Sequence, residues 1–366
     1  MIKFEDPIIP QLPRIYEGCY IPVAGQYSLI LASGFEDRTV NYLQHLIDKP
    51  PKEAFLILYK GESHKNKDDE IRKILRDMKV NIIEVSFDRR LPEEFEDEIS
   101  KIYKHLQDSR ETIIDISSMS KLLMMSLLVG LNKLATKLVI VYTESRIYKP
   151  SKRVFETRKR NRELRSSKLF FQTSDLLATT TTKSLSSSAM NNSPIFLIAF
   201  PTFNEELLIT LFQEFSPSVT VIVHGVPLRK KDEWRTEAIH YINRHILGQI
   251  KAADQIKVST YYYAETFQVL EKYYYQYKTS HKFTVGAGVS KLQSIAIAFF
   301  KLYRPDIQIL YPTPKSYLLK EYSSQSSAIH SIEISNYAKF ILDLREFRRR
   351  IDFNSPVIHH NENVFS

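Results

Sequence analysis

One pattern constrains this chain more than any other: "IIDISSMSKLLMM" at 113–125 returns as "TVGAGVSKLQSIA" at 284–296. In both, an apolar run of strand length passes through small residues into Ser-Lys-Leu and a longer apolar stretch of helix length. Lys121 and Lys291 stand 170 residues apart, and Phe35 and Phe203 stand 168 apart. A shift that holds this far along the chain, with element types in the same order, predicts two copies of one unit in tandem.

The rest of the pattern supports that reading. "YSLILAS" (27–33), "EAFLILY" (53–59), "VNIIEVSF" (80–87), "ETIIDIS" (111–117) and "KLVIVYT" (137–143) read as strands, and the segments between them carry helical spacing. From Pro194 the alternation starts again with "PIFLIAF" and ends with "IQILYP". Alternating strands and helices require right-handed crossovers and parallel pairing. The predicted fold class is therefore α/β, with two tandem Rossmann-like parallel-sheet domains related by internal duplication. The predicted division is a lead at 1–26, a first domain at 27–150, a basic then Ser/Thr-rich linker at 151–193, a second domain at 194–345 and a tail at 346–366. "ATTTTKSLSSSAMNNS" reads as too polar to build a core, and "SIEISNYAKFILDL" as a strand and helix added to the second block.

Composition narrows the class. With 366 residues, 43% of them hydrophobic, the chain has enough apolar side chains for two cores. Cys19 is the single cysteine, so a disulfide framework and a thiolate metal site are both excluded. No apolar run approaches the roughly 18 residues of a membrane span, so the expectation is a soluble, cytoplasmic protein. No spacing of metal ligands is present, and neither metal nor cofactor is expected. The net charge of +9 is concentrated between Arg146 and Lys168, where ten Lys or Arg face only Glu156 and Glu163. Arg153, Arg158, Lys159, Arg160, Arg162 and Arg165 of that segment are candidates for contacts to RNA or DNA phosphates, or to an acidic protein partner.

In a sheet with strand order 3-2-1-4-5, strands one and four flank the point where the winding reverses, and ligands bind at their carboxyl ends. The loops after those strands are the ones with unusual chemistry here. After strand four come Ser117, Ser118, Ser120 and Lys121, with Asp115 ending the strand; the second block has Gly286, Gly288, Ser290 and Lys291. Small residues allow close approach of the backbone, and the helix start offers unpaired N–H groups, so the combination suits a phosphate. The plainer reading makes Ser118 or Ser120 a helix cap and Lys121 a solvated lysine. After strand one come Ser33, Gly34, Glu36, Asp37 and Arg38. Glu36 or Asp37 can serve as general base or nucleophile, or both can be ordinary acids at a helix start, with Arg38 a phosphate contact or their ion partner.

A strand ending in an acid or amide, a turn of small and hydroxyl residues, then Ser or Thr with Lys opening a helix resembles the signature loop of CRISPR-associated Rossmann fold (CARF) domains. The second block keeps glycines in "VGAGVSK", whereas the first has serines in "DISSMSK". The resemblance implies a cyclic or linear oligoadenylate, or a related nucleotide, held in a groove between two such domains, here supplied by one chain. "YTESRIYKPS" (142–151) also resembles stretches of bacterial antiphage-defence proteins. The expected function is a nucleotide- or nucleic-acid-end-binding regulatory subunit of a defence or stress system. The alternatives are a nucleotide hydrolase or transferase using Glu36 or Asp37, and an RNA- or DNA-binding scaffold using 146–168. Three further features read as incidental. Arg235 and His240 have the spacing of HEPN ribonucleases but lie inside an α/β block, the tyrosine runs at 261–263 and 273–275 read as packing, and His359 and His360 sit in the tail.

Overall fold

Strands that are apolar along nearly their whole length form two sheets, as expected where helices cover both faces. The computed structural model describes residues 10–61, 66–160, 173–317 and 324–354. In the first half, β1 (Ile15–Glu17) and β2 (Tyr27–Ala32) lead to α1 (Arg38–Gln44), β3 (Glu53–Tyr59), α2 (Asp68–Asp77) and β4 (Asn81–Phe87). These are followed by α3 (Phe95–Leu106), β5 (Glu111–Asp115), α4 (Lys121–Gly130) and β6 (Lys137–Ile147). α5 (Lys152–Arg160) and β7 (Thr173–Thr180) connect to the second half. There β8 (Ile195–Ala199), α6 (Glu205–Phe215), β9 (Val219–Val226), α7 (Trp234–Gln249) and β10 (Asp254–Ser259) are followed by α8 (Tyr263–Tyr277), β11 (Lys282–Gly286), α9 (Lys291–Tyr303) and β12 (Gln308–Tyr317). β13 (Ser324–Ile334) and α10 (Tyr337–Asn354) complete the described chain.

The first sheet runs β1-β13-β6-β5-β2-β3-β4 and the second β10-β9-β8-β11-β12-β7. Within each lies a five-strand parallel unit whose order, counted along its own block, is 3-2-1-4-5, so each half is Rossmann-like. The sheets are mixed rather than wholly parallel, because each half lends a strand to the other. β13, which follows the second block, lies antiparallel to β6 with Ile334 opposite Leu138 and Ser331 opposite Val141. β7, which follows the first block, lies antiparallel to β12 with Thr180 opposite Tyr311.

This exchange corrects the expected division of the chain. The 151–193 segment is no free linker: it holds α5 and β7, and Leu185 is fully buried in the main core. The strand at 324–334 belongs to the first sheet, not the second block. The sequence pattern marks the end of β13 as a strand but not the sheet it joins, and it misses β7; both lie in antiparallel ribbons beyond the covered sheet. β6 pairs with β5 only through Val141 and then continues with β13, while β12 pairs with β11 only over Gln308–Leu310 and continues with β7. Pro312 and Pro314 are accommodated in β12 because they fall past its pairing with β11, beside a register shift at Thr313/Pro314.

The core between the sheets is built on α4 and α9. Leu122 to Val129 of α4 are all buried, as are Leu292 to Tyr303 of α9, and helices apolar on every side belong in an interior. They pack against each other and join both halves in one continuous cluster. Each fully buried Leu or Phe there contributes roughly 1.5–3 kcal/mol. α10 straps the halves together. Its start is held by Ala338 N–H to Leu134 O (2.8 Å) and Tyr337 Oη to Leu128 O (2.8 Å), and near its end Asp352 accepts from Arg304 of the second half (2.7 Å). Among the described residues no helix is long and apolar enough to cross a membrane.

Candidate functional site

Because α4 and α9 pack together, the Ser-Lys loops at their N-termini meet. Ser120 and Ser290 are both N-caps with extended backbone, at φ/ψ of −64°/153° and −68°/166°. Ser120 Oγ accepts from Leu123 N–H (3.2 Å), and Ser290 Oγ accepts from Gln293 N–H (3.2 Å) while Gln293 Oε1 accepts from Ser290 N–H (3.0 Å). Each cap is worth about 1 kcal/mol. The capping reading of Ser120 therefore holds at the same time as its place in the site.

The loops after β2, β5, β8 and β11 all open into one cavity of about 500 Å³. Gly34, Glu36, Arg38, Ser118, Ser120 and Lys121 line it from the first half, and Gly288, Ser290 and Lys291 from the second. Gly34 has a steric reason to be glycine, since a Cβ there would lie 2.8 Å from Ser118 Cβ. Thr39 Oγ1 donates to Ser118 Oγ (2.8 Å), locking the strand-one and strand-four loops of the first half together.

The two lysines differ. Lys291 reaches across the interface, its ammonium donating to the Ile116 carbonyl (2.8 Å) and to the Met119 carbonyl of the first-half loop. Burial, with Arg38 nearby, holds its pKa well below the ordinary lysine value. Lys121, half-buried at the cavity, has no hydrogen bond or ion pair among the described residues, and burial lowers its pKa to about 8.

Arg38 is buried and ion-paired with Glu36. Burial opposes its charge, but the Glu36 carboxylate and the neighbouring Tyr142 and Tyr148 together push its pKa the other way, above the ordinary arginine value. Asp37 does not line the cavity; it is exposed and pairs with Lys67 at 2.5 Å. Ser33, Asp115, Ser117 and Gly286 lie outside the cavity wall. Ser33 donates to Asp68, Asp115 accepts from Ser117 N–H (2.9 Å), Ser117 Oγ accepts from Thr143 N–H (2.8 Å), and Gly286 makes room for Leu211. Burial raises the Asp115 pKa against the opposing bonds from Ser117. These four shape the loops and do not face the cavity.

Sequence reasoning missed part of the wall. Tyr59 holds the first-half loop, its Oη accepting from Ser120 N–H at 2.6 Å. Tyr142, Tyr148, Tyr261 and His330 form an aromatic side, with Tyr261 Oη 3.2 Å from His330 Nδ1 and the Tyr142 and His330 rings stacked at 6.3 Å. His330 comes from the exchanged β13, so no local signal marks it. Tyr148 and Tyr261 lay in stretches noted for other reasons. Arg235 lines the cavity but donates to the Tyr148, Lys149 and Pro150 carbonyls, and its pKa falls to about 10 through burial; His240 is exposed, so the pair does not form a ribonuclease site.

Of the basic segment, Arg153, Lys159 and Arg160 are exposed on α5, Arg158 is half-exposed, and Phe155 packs the helix on α7 against Trp234 and Tyr241. Arg162 and Arg165 lie outside the described residues, as do His359 and His360. Tyr263, Tyr273 and Tyr274 are core residues, as their packing reading expects. Among the described residues no three His, Cys, Asp or Glu side chains gather as metal ligands would.

No protein-family model matches the chain, and no curated protein matches it. Among solved structures, one titled "AtPrR2 in apo form" is 10% identical with a TM-score of 0.22 and covers 69% of this chain and 87% of its own. A likeness that weak carries no argument about fold or function.

Proposed function

We propose that the chain is a nucleotide-binding sensor whose ligand sits in the cavity between two duplicated, CARF-like halves, with a phosphate at the Ser-Lys loops. The reading rests on one observation: two N-capped helices aim their N-termini at a single cavity lined by Lys121, whose ammonium has no hydrogen bond or ion pair among the described residues. Helix N-termini and an unpaired ammonium favour an anion, and about 500 Å³ suits a small nucleotide. Tyr142, Tyr261 and His330 offer ring faces for a base. The identical strand order and matching cap geometry of the halves support duplication.

A regulatory role in a bacterial defence or stress system follows from the loop resemblance. Nothing favours the enzyme alternative, since Glu36 is bound to Arg38 and Asp37 faces away from the cavity. The test is mass spectrometry of small molecules released on denaturing the purified protein. A nucleotide is expected from wild type and about tenfold less from Lys121→Met. Equal recovery from both, or no phosphorylated compound from either, contradicts the reading.

A further inference from the structure

The cavity wall is polarised in its hydrogen bonding. Buried side-chain atoms without a partner occur on three residues that line it: Arg38 Nε, Asn66 Nδ2 and Gln293 Nε2. All three are N–H donors, and no unpartnered buried side-chain oxygen belongs to a cavity-lining residue among those described. The Gln293 amide orientation is set by its Oε1, which accepts from Ser290 N–H at 3.0 Å, leaving the NH2 as the open group. Arg38 and Gln293 are 4% and 2% exposed, so bulk water does not satisfy them. The wall also carries the carboxylates Glu17, Glu36, Glu144 and Asp232, of which Glu36 and Glu144 are ion-paired with Arg38 and Arg229; the open groups beside the Lys121 ammonium are N–H donors, the complement of a group that only accepts, such as phosphate.

The donors are also unevenly placed. Arg38, Asn66 and Lys121 belong to the first half, and Gln293 alone to the second. The equivalent lysine of the second half is engaged by the Ile116 and Met119 carbonyls, and Ser290 Oγ donates to Thr260 O at 2.9 Å. A two-fold symmetric ligand would present the same group to both halves and find an open cation on one side only.

We infer that the cavity takes a linear nucleotide in one orientation, its terminal phosphate against Lys121, Arg38 and Asn66 and the remainder toward the aromatic side. This rests on the nucleotide reading above and adds direction to it. Isothermal titration of the full chain tests it with three dinucleotide pools containing all four bases: linear with a 5′-phosphate, linear without it, and cyclic. The phosphorylated linear pool is expected to bind at least about tenfold tighter than either other pool. Lys121→Met is expected to erase that preference, as is Asn66→Leu if Lys121→Met fails to fold. Cyclic binding as tight as phosphorylated linear binding, or the preference surviving in full in both Lys121→Met and Asn66→Leu, overturns the polarity and leaves the nucleotide reading intact. No binding of any pool overturns both.

Discussion

The Ser118–Lys121 and Gly288–Lys291 turns begin with the same local design and end with different tasks. Each has a serine cap and a lysine at the first helical position. The second turn, however, sends its lysine across the interface to hold the first, donating to Ile116 and Met119, while Lys121 of the first has no hydrogen bond or ion pair among the described residues. A repeated motif therefore need not be a repeated site. Where two copies face each other, one can become the support and the other the place where a ligand is met.

The largest effect should come from the exchange of strands. Removing residues 324–354 takes β13 from the first sheet and the α10 strap from both halves, and cooperative folding is expected to be lost rather than only the second half. The intact chain should unfold in one urea transition, with the fluorescence of Trp234, the single tryptophan, coinciding with far-UV circular dichroism. Two separated transitions would mean the halves are independent.

Next come the glycines of the two loops. A Cβ at Gly34 meets Ser118 Cβ at 2.8 Å, whereas one at Gly288 has its nearest neighbour, the Phe200 carbonyl, at 3.2 Å. Gly34→Ala should cost about 1–3 kcal/mol in urea midpoint analysis, and Gly288→Ala less. The lysines come third. Lys291→Met strands two carbonyls and should destabilise by about 1–3 kcal/mol, while Lys121→Met, which removes a half-buried, unpaired ammonium, should be within about 1 kcal/mol of neutral or stabilising.

The smallest effect is on pH. The Lys121 pKa is lowered from 10.5 to about 8, so between those values the unfolded chain binds more protons than the folded one, and this group's contribution makes stability rise with pH. Anion affinity should do the opposite, falling as pH passes above about 8 while Lys121 loses its charge. Phosphate-ligand titrations at pH values on either side of that point should show the fall in wild type and a flat profile in Lys121→Met.

The central sheets were legible in the sequence because strands covered on both faces leave continuous apolar runs, and the Ser-Lys loops because their position after strand four follows from topology. The exchange was not, since nothing local in a strand's pattern says which sheet it joins: the strand read at 331–335 was assigned to the second half, yet β13 pairs with β6, and β7 pairs with β12. The same cause hid His330, which reaches the cavity from a strand numbered with the other half. Asp115 and Ser117 were misplaced for a different reason: the strand-end pattern that suggests a ligand contact also suits an acid that shapes its own turn, and Ser117 N–H is the partner Asp115 takes.

Hydrogen exchange on the two loops in wild type, Lys121→Met and Lys291→Met tests the inequality of the lysines without any ligand. The expectation is that Lys291→Met speeds exchange at amides 116–121 by about tenfold or more, while Lys121→Met leaves amides 286–291 at the wild-type rate. Equal disturbance of the opposite loop by both variants, or by neither, would contradict the division into a support and a receiving side.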